Sequence, residues 1–109
     1  MKTNEKLKKL EAFLEQSPRD EFILFAMAQE YSKLGEYEAS IAGYEKLLEV
    51  NMDYVGTYYH LGKTLEKLSQ NDRALSIYRK GIEVANRLKD QHSASELMNA
   101  KMNLEIEME

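Results

Sequence analysis

The side chains with the most obvious chemical potential in this chain are its two histidines, His60 and His92, and a glycine-lysine-threonine run ending at Thr64. The histidines do not stand at the spacing that places two metal ligands on one helix face, and the chain has no cysteine. A zinc site would have to draw on carboxylates such as Glu66 or Glu96, and nothing in their spacing supports it. The run Gly56-Thr-Tyr-Tyr-His-Leu-Gly62-Lys63-Thr64 is close to a phosphate-binding loop. It has five residues between the glycines where four are needed, and its neighbours read as helix rather than as strand followed by loop. Serine, histidine and aspartate all occur, but no spacing sets a nucleophile beside a base. Glu36 and Glu38 fall in a turn and a helix start, where solvated carboxylates are ordinary. The expectation is a protein that is not an enzyme and uses no cofactor or metal.

The elements that carry these residues repeat. With residues 21–54 placed over 55–88, six positions are identical: Lys33/Lys67, Leu34/Leu68, Tyr44/Tyr78, Lys46/Lys80, Glu49/Glu83 and Val50/Val84. Others keep their character, including Leu24/Tyr58, Phe25/Tyr59, Met27/Leu61, Ala28/Gly62 and Ser40/Ala74. The register extends backwards, with Leu7, Leu10, Leu14 and Glu15 one period before Ile41, Tyr44, Leu48 and Glu49. A 34-residue period marks a stack of supersecondary units, none of which buries its apolar face alone. It also gives Gly62 a packing role in place of a phosphate-binding one.

Apolar positions follow the helical period throughout, and no run alternates as a strand would. The pattern predicts six helices, at about 4–16, 18–34, 37–50, 52–68, 71–88 and 93–107. Leu7, Leu10, Phe13 and Leu14 form the stripe of the first. Ser17-Pro18 reads as the end of that helix and the cap and first position of the next. Gly35 supplies a turn, Asn51 is placed to cap the fourth helix, and Ser93-Ala-Ser-Glu96 fits a capping box for the sixth.

The 109 residues are 43% apolar and 31% charged, which suits one folded domain. A formal charge of −4 argues against nucleic acid. Lys6, Lys8 and Lys9 cluster near the start and read as a solvated helix face. The first residues lack a continuous apolar stretch of signal-peptide kind, and nothing approaches the length of a membrane span. The expected location is the cytoplasm, with no membrane partner.

The repeat unit resembles the tetratricopeptide repeat. In residues 21–54 the family's characteristic places hold Leu24, Met27, Ala28, Tyr31, Ser40, Tyr44, Leu47 and Met52; in 55–88 they hold Tyr58, Leu61, Gly62, Leu65, Ala74, Tyr78, Gly81 and Asn86. Pro18 stands where the family favours proline, while Met52 and Asn86 replace it later. The last helix departs from the pattern: strict register would put His92, Ser95 and Glu96 in the core, which suggests a helix shifted by a short insertion. The resemblance implies an all-α fold, a short α-α superhelix of about six antiparallel helices. It would comprise an N-terminal half-repeat (1–20), two repeats (21–54 and 55–88) and a C-terminal capping helix (89–109).

In this family the first helix of each pair lines a concave groove. The resemblance therefore places Phe22, Phe25, Gln29 and Lys33, then Tyr59, Lys63 and Lys67, on a surface for a partner peptide or helix. Aromatics would anchor the partner, and Lys33, Lys67 and nominally Lys101 would form a basic rail. A family clamp for C-terminal carboxylates would use the places held here by Phe25, Gln29, His60, Asp90 and Ala94. These lack its lysine, asparagine and arginine, so binding of that kind is not expected. The functional expectation is a protein-protein interaction module. The alternative is a structural protein whose main property is homo-oligomerisation, for example as a homodimer, through exposed repeat faces.

Overall fold

A computed structural model describes residues 3–109, which form two compact units. The first runs to Met52 and holds α1 (Glu5–Gln16), α2 (Glu21–Lys33) and α3 (Tyr37–Val50). The second starts at Asp53 and holds α4 (Gly56–Lys67), α5 (Asn71–Arg87) and α6 (Gln91–Glu107). No strand occurs among the described residues.

In the first unit α2 and α3 pack closely. A Cβ added at Gly43 would lie 3.1 Å from the Ala28 Cβ, so two small residues set the approach. At the same crossing the buried Ser40 hydroxyl donates to the Ala28 carbonyl oxygen at 2.7 Å, leaving neither group unpaired. Leu24, Ala28, Ile41, Tyr44 and Leu47 make this core. Burial pushes the Tyr44 phenol up to about 12, opposed by its hydrogen bond with Ser40. Helix α1 adds Leu7, which is fully buried. Phe13, expected on the same stripe, is 59% exposed. Six residues of helix turn it about 120° from Leu7, whereas Leu14 returns to within about 20°.

In the second unit the aromatic residues do more of the filling. The Tyr78 ring occupies the space a side chain at Gly62 would need, and Tyr58 stands over Gly81. Leu61, Leu65, Ala74, Val84 and Ala85 complete the α4–α5 core, and α6 closes it with Ala94, Leu97, Ala100 and Leu104.

The caps differ from those expected. Asp20, not Ser17, caps α2 by accepting from the Ile23 N–H at 3.0 Å, and Ser17-Pro18 lie in the preceding turn. Asn51 does not cap α4, which begins at Gly56; its side-chain amide donates to Glu21 at 2.8 Å and ties the end of α3 to the start of α2. Helix α6 is capped by Asp90, three residues before Ser93. Asp90 accepts from both the N–H and the hydroxyl of Ser93, and those bonds hold its carboxyl below the usual range.

The turns explain why the last helix leaves the register. After α2, Gly35 takes φ 77°, and the Glu36 N–H donates to the Tyr31 carbonyl at 2.9 Å. After α4, Ser69 takes φ 57°, and Gln70 donates to Leu65 at 2.9 Å. Both are Schellman turns, which close a helix through one left-handed residue. The connection at 51–54, one period after 17–20, has another form. At the next equivalent place, 85–88, the chain remains helical to Arg87. It then makes a third Schellman turn, with Lys89 at φ 59° and Asp90 donating to Ala85 at 2.8 Å. Helix α6 is thus entered by a within-pair turn at a between-pair position. His92, Ser95 and Glu96 are accordingly exposed, and Ala94 and Leu97 face the core.

Candidate partner-binding surfaces

Helix α2 carries Phe25, Gln29 and Lys33 at intervals of four, a ridge along one side of the helix. Phe22, at the first turn, is 74% exposed, an unusual position for a phenylalanine. Phe25 is only half-buried and meets the Tyr44 ring edge-on, with centroids 5.8 Å apart. Gln29 is half-buried and Lys33 exposed. The Lys33 ammonium lies 3.9 Å from Glu30. The Glu30 carboxyl is held below its ordinary range, first by the Asn4 side-chain amide at 3.1 Å and then by Lys6 and Lys33.

Helix α4 carries the equivalent ridge one period on: Tyr59, Lys63 and Lys67. Tyr59 is half-buried, edge-on to His60 with centroids 5.6 Å apart. Lys63 lies 3.9 Å from Glu66, and Lys67 is exposed. Glu66 also accepts from the Tyr78 hydroxyl, and burial together with that bond pushes the Tyr78 phenol far above its ordinary value. His60 is half-buried; desolvation pushes its pKa down, against the attraction of Glu96.

Within each unit the structure brings the predicted residues onto one helix face. The α2 face combines an exposed aromatic ring with an amide and a cation, and the α4 face combines a half-covered ring with two cations. The expected basic rail is less basic than its lysines suggest. Of its members, Lys33 lies 3.9 Å from Glu30 and Lys101 3.3 Å from Glu105; Lys63, beside the rail on α4, lies 3.9 Å from Glu66. Sequence reasoning overlooked these carboxylates, although the Glu30/Lys33 and Lys63/Glu66 spacings signal them. It also overlooked an apolar groove between α5 and α6, lined by Ile82, Met98 and Met102 with Arg79, Lys101 and Glu105 at its rim.

Of the places a carboxylate clamp would use, Asp90 is engaged as a helix cap and Ala94 is buried. No group of three or more side chains able to hold a metal occurs among the described residues. No helix there is long and apolar enough to cross a membrane.

Comparison with known proteins places this geometry. Family models described as "TPR repeat" and "Tetratricopeptide repeat" match residues 28–69 and 55–88. A tetratricopeptide repeat domain protein of Salinibacter ruber is 45% identical, with a TM-score of 0.74 over 79% of this chain and 96% of that one. This chain belongs to the tetratricopeptide repeat family. Its repeats indicate a protein-interaction scaffold. The fold recurs at low identity in the Yersinia enterocolitica type III secretion translocator chaperone SycD. That protein is 13% identical, with a TM-score of 0.85 over 94% of this chain and 71% of that one. A segment of 59 residues is 41% identical to the Arabidopsis thaliana Protein CTR9 homolog. That match takes in 54% of this chain and 5% of the plant protein.

Proposed function

We propose that this tetratricopeptide repeat chain is a non-enzymatic interaction module of the cytoplasm that holds an extended or helical segment of a partner protein. The first-helix faces of its repeats do the holding. Phe22 and Phe25 on α2 and Tyr59 on α4 supply apolar contact, Gln29 supplies hydrogen bonds, and Lys33, Lys63 and Lys67 favour acidic residues in the partner. The observation that carries this reading is the exposure of Phe22. A phenylalanine left three-quarters in water contributes little to the fold, while its burial by a ligand removes apolar area from solvent.

The same exposure makes Phe22 the cleanest site to test. Phe25 touches Tyr44, and its loss would also disturb the α2–α3 core. Panning a displayed random-peptide library on the purified chain should enrich sequences pairing large apolar residues with Asp or Glu. Phe22→Ser should then weaken the enriched peptides by about tenfold or more, with the helical signal intact. Failure to enrich any sequence, or peptides indifferent to both Phe22→Ser and Tyr59→Ser, would remove the reading.

A further inference from the structure

The start of α2 is fastened in a way that its counterpart one period on is not. Phe22 is the second residue of the helix, in the first turn, where helix ends fray. Two side chains hold that turn. Asp20 caps it, accepting from the Ile23 N–H at 3.0 Å. Glu21, beside Phe22, accepts from the Asn51 side-chain amide at 2.8 Å, and both members of this pair are half-buried. Asn51 is itself fixed: its backbone N–H donates at 2.8 Å to the carbonyl of Leu47, a fully buried core residue. A continuous line of contacts thus runs from the α2–α3 core through Asn51 and Glu21 to the backbone that carries Phe22.

The second repeat shows what the fold does without these residues. Thirty-four positions on, Asp20, Glu21, Phe22 and Asn51 are replaced by Tyr54, Val55, Gly56 and Ala85. The ring, the cap and the Glu–Asn pair disappear together, and α4 starts at Gly56 with no side-chain cap. There the Arg87–Asp53 ion pair fastens the chain three residues before the helix begins. A first helix of this fold therefore forms without a cap and a Glu–Asn pair when its first turn presents no ring.

We propose that Asn51 is a positioning residue for the Phe22 anchor, holding the first turn of α2, through Glu21, in the form that meets a partner peptide. This role rests on the α2 face being the docking surface. Its physical basis is preorganisation. A frayed turn has to be ordered as the partner binds, and that ordering subtracts from affinity. Only molecules with the turn formed are competent, so the apparent affinity falls with their fraction. The effect of Asn51 on binding passes through Phe22.

Exchanging the amide and the carboxylate tests this role. Asn51→Asp sets a second carboxylate against Glu21, and like charges at hydrogen-bond distance repel. In calorimetric titration with the panned peptides that depend on Phe22, this variant should bind about threefold or more weakly. A threefold loss corresponds to a turn formed in about a third of the molecules. Asn51→Asp combined with Glu21→Gln restores one amide facing one carboxylate and should recover most of the loss. The Leu24 N–H, which donates to the Asp20 carbonyl at 3.0 Å, should exchange its hydrogen faster in Asn51→Asp and slow again in the exchanged pair. In a Phe22→Ser background Asn51→Asp should add little, whereas general damage to the fold would weaken both backgrounds alike.

Unchanged affinity in Asn51→Asp would overturn the proposal, as would an exchanged pair no better than Asn51→Asp or equal losses in the two backgrounds. Peptides that depend on Tyr59 but not on Phe22 would overturn it as well. Each of these results leaves the docking reading standing. Failure of the library to enrich any sequence removes that reading, and the role of Asn51 with it.

Discussion

Tyr58 on α4 stands directly over Gly81 on α5. A Cβ at Gly81 would lie 2.6 Å from the Tyr58 Cβ and 2.9 Å from Leu97. One period earlier the same two places hold Leu24 and Leu47, both buried. The repeats thus fill equivalent positions with different partitions of volume, two medium side chains in one and a large and an absent one in the other. Close-packed interiors tolerate such exchanges only when both members change together.

Gly81→Ala should therefore destabilise the chain by about 1–3 kcal/mol, an overpacking cost. Gly81→Leu should cost more. Adding Tyr58→Leu to Gly81→Leu reproduces the pair used by the first repeat and should recover much of the loss in urea unfolding. A double variant no more stable than Gly81→Leu alone would show that the two residues do not share this space.

Lys89 closes α5 at φ 59°, in the region that strains any residue with a Cβ. Gly35 makes the equivalent turn after α2 without that strain. Lys89→Gly should raise stability by roughly 0.5–1 kcal/mol, the relief of left-handed strain exceeding the entropy added to the unfolded chain. A lower thermal midpoint for Lys89→Gly than for the wild type would mean that the lysine side chain supports the turn in some other way.

The repeat was legible because its signal is redundant. Tyr44 and Tyr78, and the small residues Ala28, Ser40, Gly62 and Ala74 around the crossings, recur at one spacing and need no tertiary knowledge to be seen. The caps were not legible to the same degree. Ser17 and Asp20, or Ser93 and Asp90, are all competent caps, and the choice depends on where the backbone leaves the preceding helix. Asn51 is drawn away from α4 by Glu21, thirty residues upstream, an attachment no local pattern reports. For the proposed binding residues, helix spacing placed Phe25, Gln29 and Lys33 on one face, and Tyr59, Lys63 and Lys67 on another. It could not say how far each ring would be covered: Phe22 lies open, while Phe25 leans on Tyr44. The last helix carries apolar residues on two sides, Leu97 and Leu104 inward and Met98 and Met102 outward, so its pattern alone does not identify the buried side.

His60 makes stability depend on pH. Burial lowers its folded pKa below the ordinary 6.5, with the attraction of Glu96 acting in the opposite direction. Below that ordinary value the unfolded chain holds the extra proton more readily than the folded one. Stability therefore falls as pH drops from about 7 towards the folded pKa. The urea midpoint should be lower at pH 5.5 than at pH 7.5, a range in which ordinary carboxylates remain ionised. His60→Gln should flatten that difference. An equal drop in the variant would assign the effect elsewhere.

The chain should not capture a free C-terminal carboxylate through the clamp known in its family. Two of the five places are closed for physical reasons. Asp90 carries a negative charge that would repel the ligand, and its carboxylate is occupied by the N–H and hydroxyl of Ser93 at the start of α6. Ala94 is buried and offers no donor. Phe25 supplies no charge, and His60 is biased by burial towards its neutral form. Gln29 remains, and one amide cannot replace a set of cations in water. Calorimetric titration with an acidic peptide ending in a free carboxylate should show no saturable binding that depends on the terminus. Micromolar affinity lost on amidation would require a different set of cations, and Lys63 and Lys67 on α4 would be the first to replace.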